Sequence, residues 1–327
     1  MRIRVAFGTG ILLGLWNGRV DVPPTTAHFL TYYEGRCRAN CKFCPQANRG
    51  SSDPHMLSRV LWPPCDFNRV LERMERRANH FDRVCVQSVN YPGVAEDVQL
   101  IVSKLKRSAD LPTSVSIRPL SRGEMRELKR AGADRICFPL DACTPGVFRQ
   151  VKEGYSWEAH LRALQLASDE FPGAVTTHLI IGLGETEEEA VRMIQWLHDR
   201  GITVGLFAFT PIPGTAFADH PRPDLASYRR IQLAHYLIRT GAGRINEMVF
   251  ENGRLTSFGV SERVLLDAIE SGEPFRTSGC PGCNRPFYNE SPRGPIYNFP
   301  RRPTRREVME IIREVFQRDR PSKRVKG

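Results

Sequence analysis

Residues 174–209 read AVTTHLIIGLGETEEEAVRMIQWLHDRGITVGLFAF, and this stretch decides the fold class. It begins with a β-rich apolar run at 174–181, bends at Gly182-Leu183-Gly184, and continues as a helical pattern over 186–200. Thr186-x-x-Glu189 is a capping box, in which each side chain satisfies a backbone N–H that the first helical turn leaves free. Gly201 stands where a left-handed residue closes a helix. A second apolar run follows at 203–209. Strand, helix and strand in this order form a βαβ unit with parallel strands.

The same alternation extends outward. Further strand patterns lie at 27–33, 83–89, 114–118, 135–140 and 247–250, and helical patterns at 67–77, 95–107, 123–131, 157–170 and 225–240. Six or seven such units predict an α/β fold, a partial (β/α)6-type TIM barrel over residues 26–250. An N-terminal extension (1–25) and a C-terminal extension (251–327) are expected to pack on it. No Gly-x-Gly-x-x-Gly follows the first strand, which disfavours an open dinucleotide-binding sheet. Thr304-x-x-Glu307 opens a last helix with Val308, Ile311, Ile312, Val315 and Phe316 at apolar spacing. Residues 319–327 read as a mobile end.

Composition agrees with a globular chain: 327 residues, 41% hydrophobic and 25% charged. Disordered, collagenous and coiled-coil classes are excluded. The longest apolar run, Ile11 to Trp16, is too short to span a bilayer. The N-terminus imitates a signal peptide, but Gly8, Gly10 and Gly14 interrupt it and Asn17-Gly18-Arg19 is no cleavage site. A cytoplasmic protein with no membrane partner is expected. Nine cysteines in short clusters favour reduced, metal-binding thiols over disulfides. The net charge is +11, and the last 27 residues, with ten basic and four acidic side chains, carry +6 of it. That tail meets an acidic partner or is simply solvated.

The sharpest chemical feature is Cys37-Arg-Ala-Asn-Cys41-Lys-Phe-Cys44, a C-x3-C-x2-C run directly after the first predicted barrel strand. Thiolates at this spacing can wrap one iron–sulfur cluster, and three ligands for four irons leave one iron open. Barrel enzymes place their sites at this mouth. A zinc site is the competing reading.

This run, with Phe43 before its last cysteine, resembles the radical S-adenosylmethionine (radical SAM) superfamily. The resemblance implies a 4Fe-4S cluster on Cys37, Cys41 and Cys44. It also implies S-adenosylmethionine at the open iron, cleaved to a 5′-deoxyadenosyl radical that abstracts hydrogen from unactivated C–H bonds. Phe43, Gln87, Asp141, Ile180, Gly182 and Pro213 are the matching cosubstrate positions. Two departures stand out: His178 replaces the first glycine of the family's G-x-I-x-G-x-x-E motif, and no Gly-Gly-Glu follows the second strand.

Within the superfamily, Cys44-Pro-Gln-Ala-Asn-Arg49 and Gly182-Leu-Gly-Glu-Thr186 are similar to the sulfur-inserting biotin synthases. Of that enzyme's three donor-cluster cysteine positions only Cys85 is filled; Ser114 and Thr176 stand at the others, and no arginine is evident on the last strand. A different thiol pair, Cys280-Pro-Gly-Cys283, lies near the C-terminus, too short to hold a metal alone. Its remaining ligands come from Cys65, Cys85, Cys137 or Cys143, or from another protein; a zinc knuckle or a redox dithiol stays open beside an auxiliary iron–sulfur cluster.

With its flanking Gly253-Arg-Leu-Thr-Ser-Phe-Gly and Asn284-Arg-Pro-Phe-Tyr-Asn-Glu, the C-terminus looks like the archaeal-type, two-protein lipoyl synthase. That resemblance implies sulfur insertion into a protein-bound octanoyl chain, drawn from a sacrificed auxiliary cluster. It also implies an acidic octanoylated carrier or lipoyl domain, a second radical SAM protein and a reductant such as ferredoxin. Two other classes compete: a single-cluster radical SAM enzyme of another reaction type (methylation, C–C bond formation or rearrangement), and a non-catalytic RNA-binding module. The basic tail lacks the interleaved aromatics of a stacking platform, so nucleic acid is not an expected partner.

Overall fold

The computed structural model describes residues 1–316. Eight strands form one open sheet: β1 (Arg2–Val5), β2 (Thr26–Thr31), β3 (Pro64–Asp66), β4 (Arg83–Gln87), β5 (Thr113–Ser116), β6 (Arg135–Cys137), β7 (Val175–Ile181) and β8 (Thr203–Ala208). Their order is β8-β7-β6-β5-β4-β2-β1-β3. The six from β2 to β8 on the long side run parallel, while β1 pairs antiparallel with both β2 and β3. The fold is therefore a partial barrel of six parallel strands, extended by two antiparallel ones.

Most of the connecting helices start where the sequence supplies a side-chain cap. Helices α1 (Phe67–Arg77), α2 (Val94–Ser108), α3 (Arg122–Arg130), α4 (Trp157–Glu170), α5 (Glu187–His198) and α6 (Leu225–Thr240) cover the sheet. Asp66, Ser121, Ser156, Thr186 and Asp224 each accept a backbone N–H at a helix start. Ile101, Val102, Leu164, Ile194 and Leu197 point inward and are fully buried against strand residues such as Phe29, Val86 and Val115.

Three expectations change. The N-terminal run that imitates a signal peptide contributes strand β1, with Ile3 and Val5 buried, followed by a short helix, Phe7–Leu12. The pattern at 247–250 does not join the sheet: Val249–Glu251 pairs with Arg254–Ser257 in a separate hairpin. In the last helix, α7 (Arg305–Phe316), Val308, Ile311 and Val315 are buried, but Phe316 is exposed. Residues 319–327 lie outside the described residues.

What positions the C-terminal segment is α6. The Arg229 guanidinium, fully buried, donates to the carbonyls of Tyr297 (2.6 Å) and Ile296 (2.5 Å) and meets Glu314 at 3.2 Å. Gln232 donates to the Tyr297 carbonyl and Tyr228 to the Asn298 side chain. Asn284 accepts from Thr25 N–H at 3.0 Å, at the start of β2. Segment 276–299 is thereby drawn across the N-terminal ends of the barrel strands.

Candidate functional site

The loop that follows β2 is held by backbone bonds. Cys37 N–H donates to the Gln46 carbonyl (3.1 Å) and Cys44 N–H to that of Cys41 (3.0 Å). Cys41 pairs with Lys152 in a two-residue antiparallel bridge, and Asn90 N–H points at Cys37 Sγ, 3.3 Å away. Arg36 donates to the carbonyls of Pro45 and Ser52, and buried Gln46 to those of Pro54 and Met56. Gln46 is thus a brace for the loop.

Burial and neighbouring charge set the electrostatics of these thiols. Burial pushes the Cys41 thiol up to about 12, though the nearby Lys152 ammonium favours its thiolate. Burial pushes Cys44 higher still, and the other two cysteines add to the rise. Burial and mutual repulsion disfavour the thiolate forms, and a bound cationic metal would offset both. The donor set fits an iron–sulfur cluster, which takes three thiolates at once.

Of the cosubstrate positions, Phe43, Gln87, Asp141 and Ile180 line a cavity of about 190 Å³ inside the half-barrel. Gly182 and Pro213 lie outside its wall. Gly182 has φ +100, and a Cβ there would come within 2.8 Å of Pro223, so only glycine suits this turn. Its N–H and that of Leu183 are both taken by the Glu185 carboxylate. The Pro213 carbonyl accepts from Ser52, locking the cluster loop to the chain after β8. Asp141 is held in a left-handed conformation (φ 67) and forms a buried ion pair with Lys152 at 2.9 Å.

The same cavity reaches a second group of thiols at its other end. Cys44 and Phe43 line one side; Cys85, Cys137, Cys280 and Cys283 line the other. Sheet register explains two of the four. Cys85 on β4 stands opposite His28 on β2 and Ser114 on β5, while Cys137 on β6 stands opposite Ser116 and Thr176. Cys280 arrives from segment 276–299 and sits 3.6 Å from Ser114 Oγ and 3.8 Å from Thr176 Oγ1. A C-terminal thiol therefore occupies the space that Ser114 and Thr176 leave open.

Burial drives the Cys85, Cys137 and Cys283 thiols upward; Cys280 adds to the rise at each, most directly at Cys85 and Cys137. Two imidazoles face them: His28 Nε2 lies 3.8 Å from Cys283 Sγ, and His178 Nε2 3.5 Å from Cys137 Sγ. Burial and the Arg285 charge hold both histidines down at about 3, so they are neutral near pH 7. Arg285 lies 3.9 Å from the Phe207 ring centroid, donates to the Ser278 carbonyl at 2.9 Å and favours the thiolate forms of Cys85, Cys137 and Cys283. One guanidinium and four thiols at this end of the cavity suit an anionic thiolate-ligated cluster, whose charge the cation offsets.

Among the described residues no three His, Cys, Asp or Glu side chains gather as a site for a single metal ion. Thiolates round a multi-iron cluster stand farther apart, because each binds a different iron. Of the remaining thiols, Cys65 lies on β3 beside Arg69 and Asp66, and Cys143 is buried beside Glu185 and Glu189. Neither lines the cavity.

The model of the Radical SAM superfamily matches residues 34–197, half of the chain. The chain belongs to the Radical SAM superfamily. A biotin synthase of Beijerinckia indica is 26% identical to it over 233 residues, 67% of this chain and 70% of that protein. An uncharacterised protein of Methanocaldococcus jannaschii is 27% identical over 177 residues; the match covers 53% of this chain and 43% of that protein. The FeFe-hydrogenase maturase HydG of Carboxydothermus hydrogenoformans superposes with a TM-score of 0.53 at 15% identity, over 72% of this chain and 55% of that one. The radical SAM fold is what this likeness shows. No helix among the described residues is long and apolar enough to cross a membrane.

Sequence reasoning missed His28, Lys152, His178 and Arg285. His178 appeared only as a departure from a glycine motif; its side chain in fact points into the cavity. The absence of an arginine on the last strand was correct for β8, yet Arg285 enters the same space from the C-terminal segment. A signal existed in Cys280-Pro-Gly-Cys283-Asn-Arg285, but nothing in it says which barrel end it faces.

Proposed function

We propose that this chain is a radical SAM sulfur-inserting enzyme of the lipoyl synthase type, acting on an octanoyl chain carried by a protein. One observation carries the reading: a single cavity has Cys44 at one end and Cys85, Cys137, Cys280 and Cys283 at the other. Bound groups would supply a 5′-deoxyadenosyl radical at the Cys37/Cys41/Cys44 end and cluster sulfur at the opposite end. A substrate carbon seated in the cavity would lie between them.

The chain's own residues do the rest. Cys37, Cys41 and Cys44 would hold the 4Fe-4S cluster; Asp141, held in place by its ion pair with Lys152, is set to accept hydroxyl hydrogens of S-adenosylmethionine's ribose. Phe43, Leu57, Trp62, Val115, Phe207 and Phe209 make the wall apolar, as an alkyl substrate requires. That wall also keeps water from a reactive carbon radical. Cys85, Cys137, Cys280 and Cys283 would hold the auxiliary cluster, with the neutral imidazoles of His28 and His178 able to donate N–H to it. The biotin synthase relatives support sulfur chemistry, and the basic chain suits an acidic carrier. A second radical SAM protein and a ferredoxin-like reductant complete the proposal, in the cytoplasm.

The test is a Cys280→Ala/Cys283→Ala variant, offered S-adenosylmethionine, reductant and an octanoylated lipoyl domain. Cleavage to 5′-deoxyadenosine should continue while C–S bond formation stops. Continued thiolation overturns the proposal. Unchanged protein-bound sulfide through a productive turnover would instead favour a single-cluster enzyme.

A further inference from the structure

A second cavity, of about 230 Å³, lies on the far side of the thiol-bearing turn. Its wall comes from the start of β8 (Thr203, Val204), the end of α6 (His235, Tyr236, Arg239) and segment 276–284. It therefore opens at the N-terminal end of the barrel, away from the Cys37–Cys44 loop. Gly279, Cys280 and Cys283 belong to the walls of both cavities. One thickness of chain, the Cys280-Pro-Gly-Cys283 turn, separates them.

The backbone conformation of the partition favours glycine. Gly279 has φ +119, and a Cβ there would stand 3.4 Å from the Gly205 backbone on β8. The turn is fastened at its edges: Ser278 Oγ accepts from Leu206 N–H (2.9 Å), Arg83 donates to the Pro281 carbonyl, and Thr25 Oγ1 donates to that of Gly282. Two exposed guanidiniums flank the outer cavity. Arg276 pairs with Glu273 at 3.0 Å; Arg239 lies over the Tyr236 ring with no carboxylate partner among the described residues. Buried His235 is held near 3 by desolvation and by Arg239, so it is neutral. One net positive charge faces an opening that small ions can fill.

We infer that this outer cavity is the entry port for hydrosulfide to the lower thiol group. The inference rests on the two-cluster reading: sulfur spent from a cluster must be replaced, and the outer cavity reaches Cys280 and Cys283 without crossing the inner one. Hydrosulfide carries sulfur at the oxidation level of cluster sulfide. In exchange with bound sulfide, the incoming hydrosulfide would give one proton to solvent and the outgoing sulfide would take one up, so the swap would need no oxidant or reductant. Arg239 and Arg276 concentrate the anion at the opening.

The experiment uses the full chain as a Cys37→Ala/Cys41→Ala/Cys44→Ala variant, reconstituted anaerobically, so that only the lower group can hold iron. Heavy-isotope hydrosulfide is added, and its exchange into protein-bound sulfide is followed by native mass spectrometry. Adding Arg239→Glu/Arg276→Glu should slow exchange about tenfold or more, and Arg239→Lys/Arg276→Lys should restore it. Equal rates in all three overturn the port. If the triple variant binds no iron, the two-cluster reading fails and the supply role falls with it. The anion path is then judged by alkylation of Cys280: charge reversal should slow iodoacetate and leave neutral iodoacetamide unchanged, and equal effects on both reagents overturn it.

Discussion

The upper thiols, Cys37, Cys41 and Cys44, of which Cys44 lines the cavity, and the lower thiols, Cys85, Cys137, Cys280 and Cys283, which all line it, are assembled on opposite plans. The upper set comes from one loop, fastened by its own backbone bonds and by the bridge to Lys152. The lower set needs two inner strand faces and a segment from the far end of the chain. Bringing distant segments together costs loop-closure entropy, which only tertiary contacts offset. Here they are the buried bonds of Arg229, Gln232 and Asn284. The upper set therefore depends on local geometry and the lower on docking of the C-terminal segment.

The comparison can be broken most sharply at the lower thiols. Cys85→Ala or Cys137→Ala should each cut sulfur insertion by about 10³-fold or more, equivalent to about 4 kcal/mol in the barrier. Upper-cluster iron and S-adenosylmethionine cleavage should persist. Cys65→Ala should leave both activities and the iron content unchanged. Iron analysis beside product assay decides it, and an inactive Cys65 variant would redraw the lower set.

Next in size are the two buried cations that secure each end. Lys152→Met leaves the Asp141 carboxylate buried without its partner, and Arg229→Met leaves the Ile296 carbonyl and Glu314 without theirs, with Gln232 still donating to the Tyr297 carbonyl. Each should cost roughly 3–5 kcal/mol in urea unfolding. The iron content should divide them: Arg229→Met loses lower iron, whereas Lys152→Met perturbs the upper. Equal loss of both irons in both variants would mean that the two ends fold as one unit.

The smallest effect is shared. His160, against Tyr155 and Lys152 at the upper end, is pushed down to about 4 by burial and then by the Lys152 charge. His235, at the outer cavity, is pushed down to about 3. Both are neutral, folded or unfolded, above about pH 6.5. As pH falls below that, the unfolded chain takes up protons that the folded chain refuses, so stability declines toward pH 4 and then 3. Urea midpoints of the iron-free chain should fall between pH 7 and 5, less steeply in His235→Leu. A flat profile would mean that neither imidazole is sealed from water.

The ease of reading differed between these regions for physical reasons. Thr186 and Glu189 were legible as a helix start because a capping box spans only one turn. The six parallel strands were legible because each is short, apolar and followed by a helical period. Strand β1 was not: alone, Arg2–Val5 is only four residues, and its pairing with β2 and β3 gives it its place. The choice among Cys65, Cys85, Cys137 and Cys143 was equally closed to inspection, since all four are single cysteines in β-rich or turn surroundings.

The sequence by itself determined whatever is fixed by covalent spacing. Cys37, Cys41 and Cys44 must share one loop, and the alternation of patterns around 174–209 must build a parallel half-barrel. Tertiary structure alone decided that His28 would stand opposite Cys85, that His178 would face Cys137, and that Cys280 would come to rest beside Ser114 and Thr176. Those meetings depend on strand register and on a buried arginine that draws the C-terminal segment across the barrel. Neither is written in the spacing of the residues that meet.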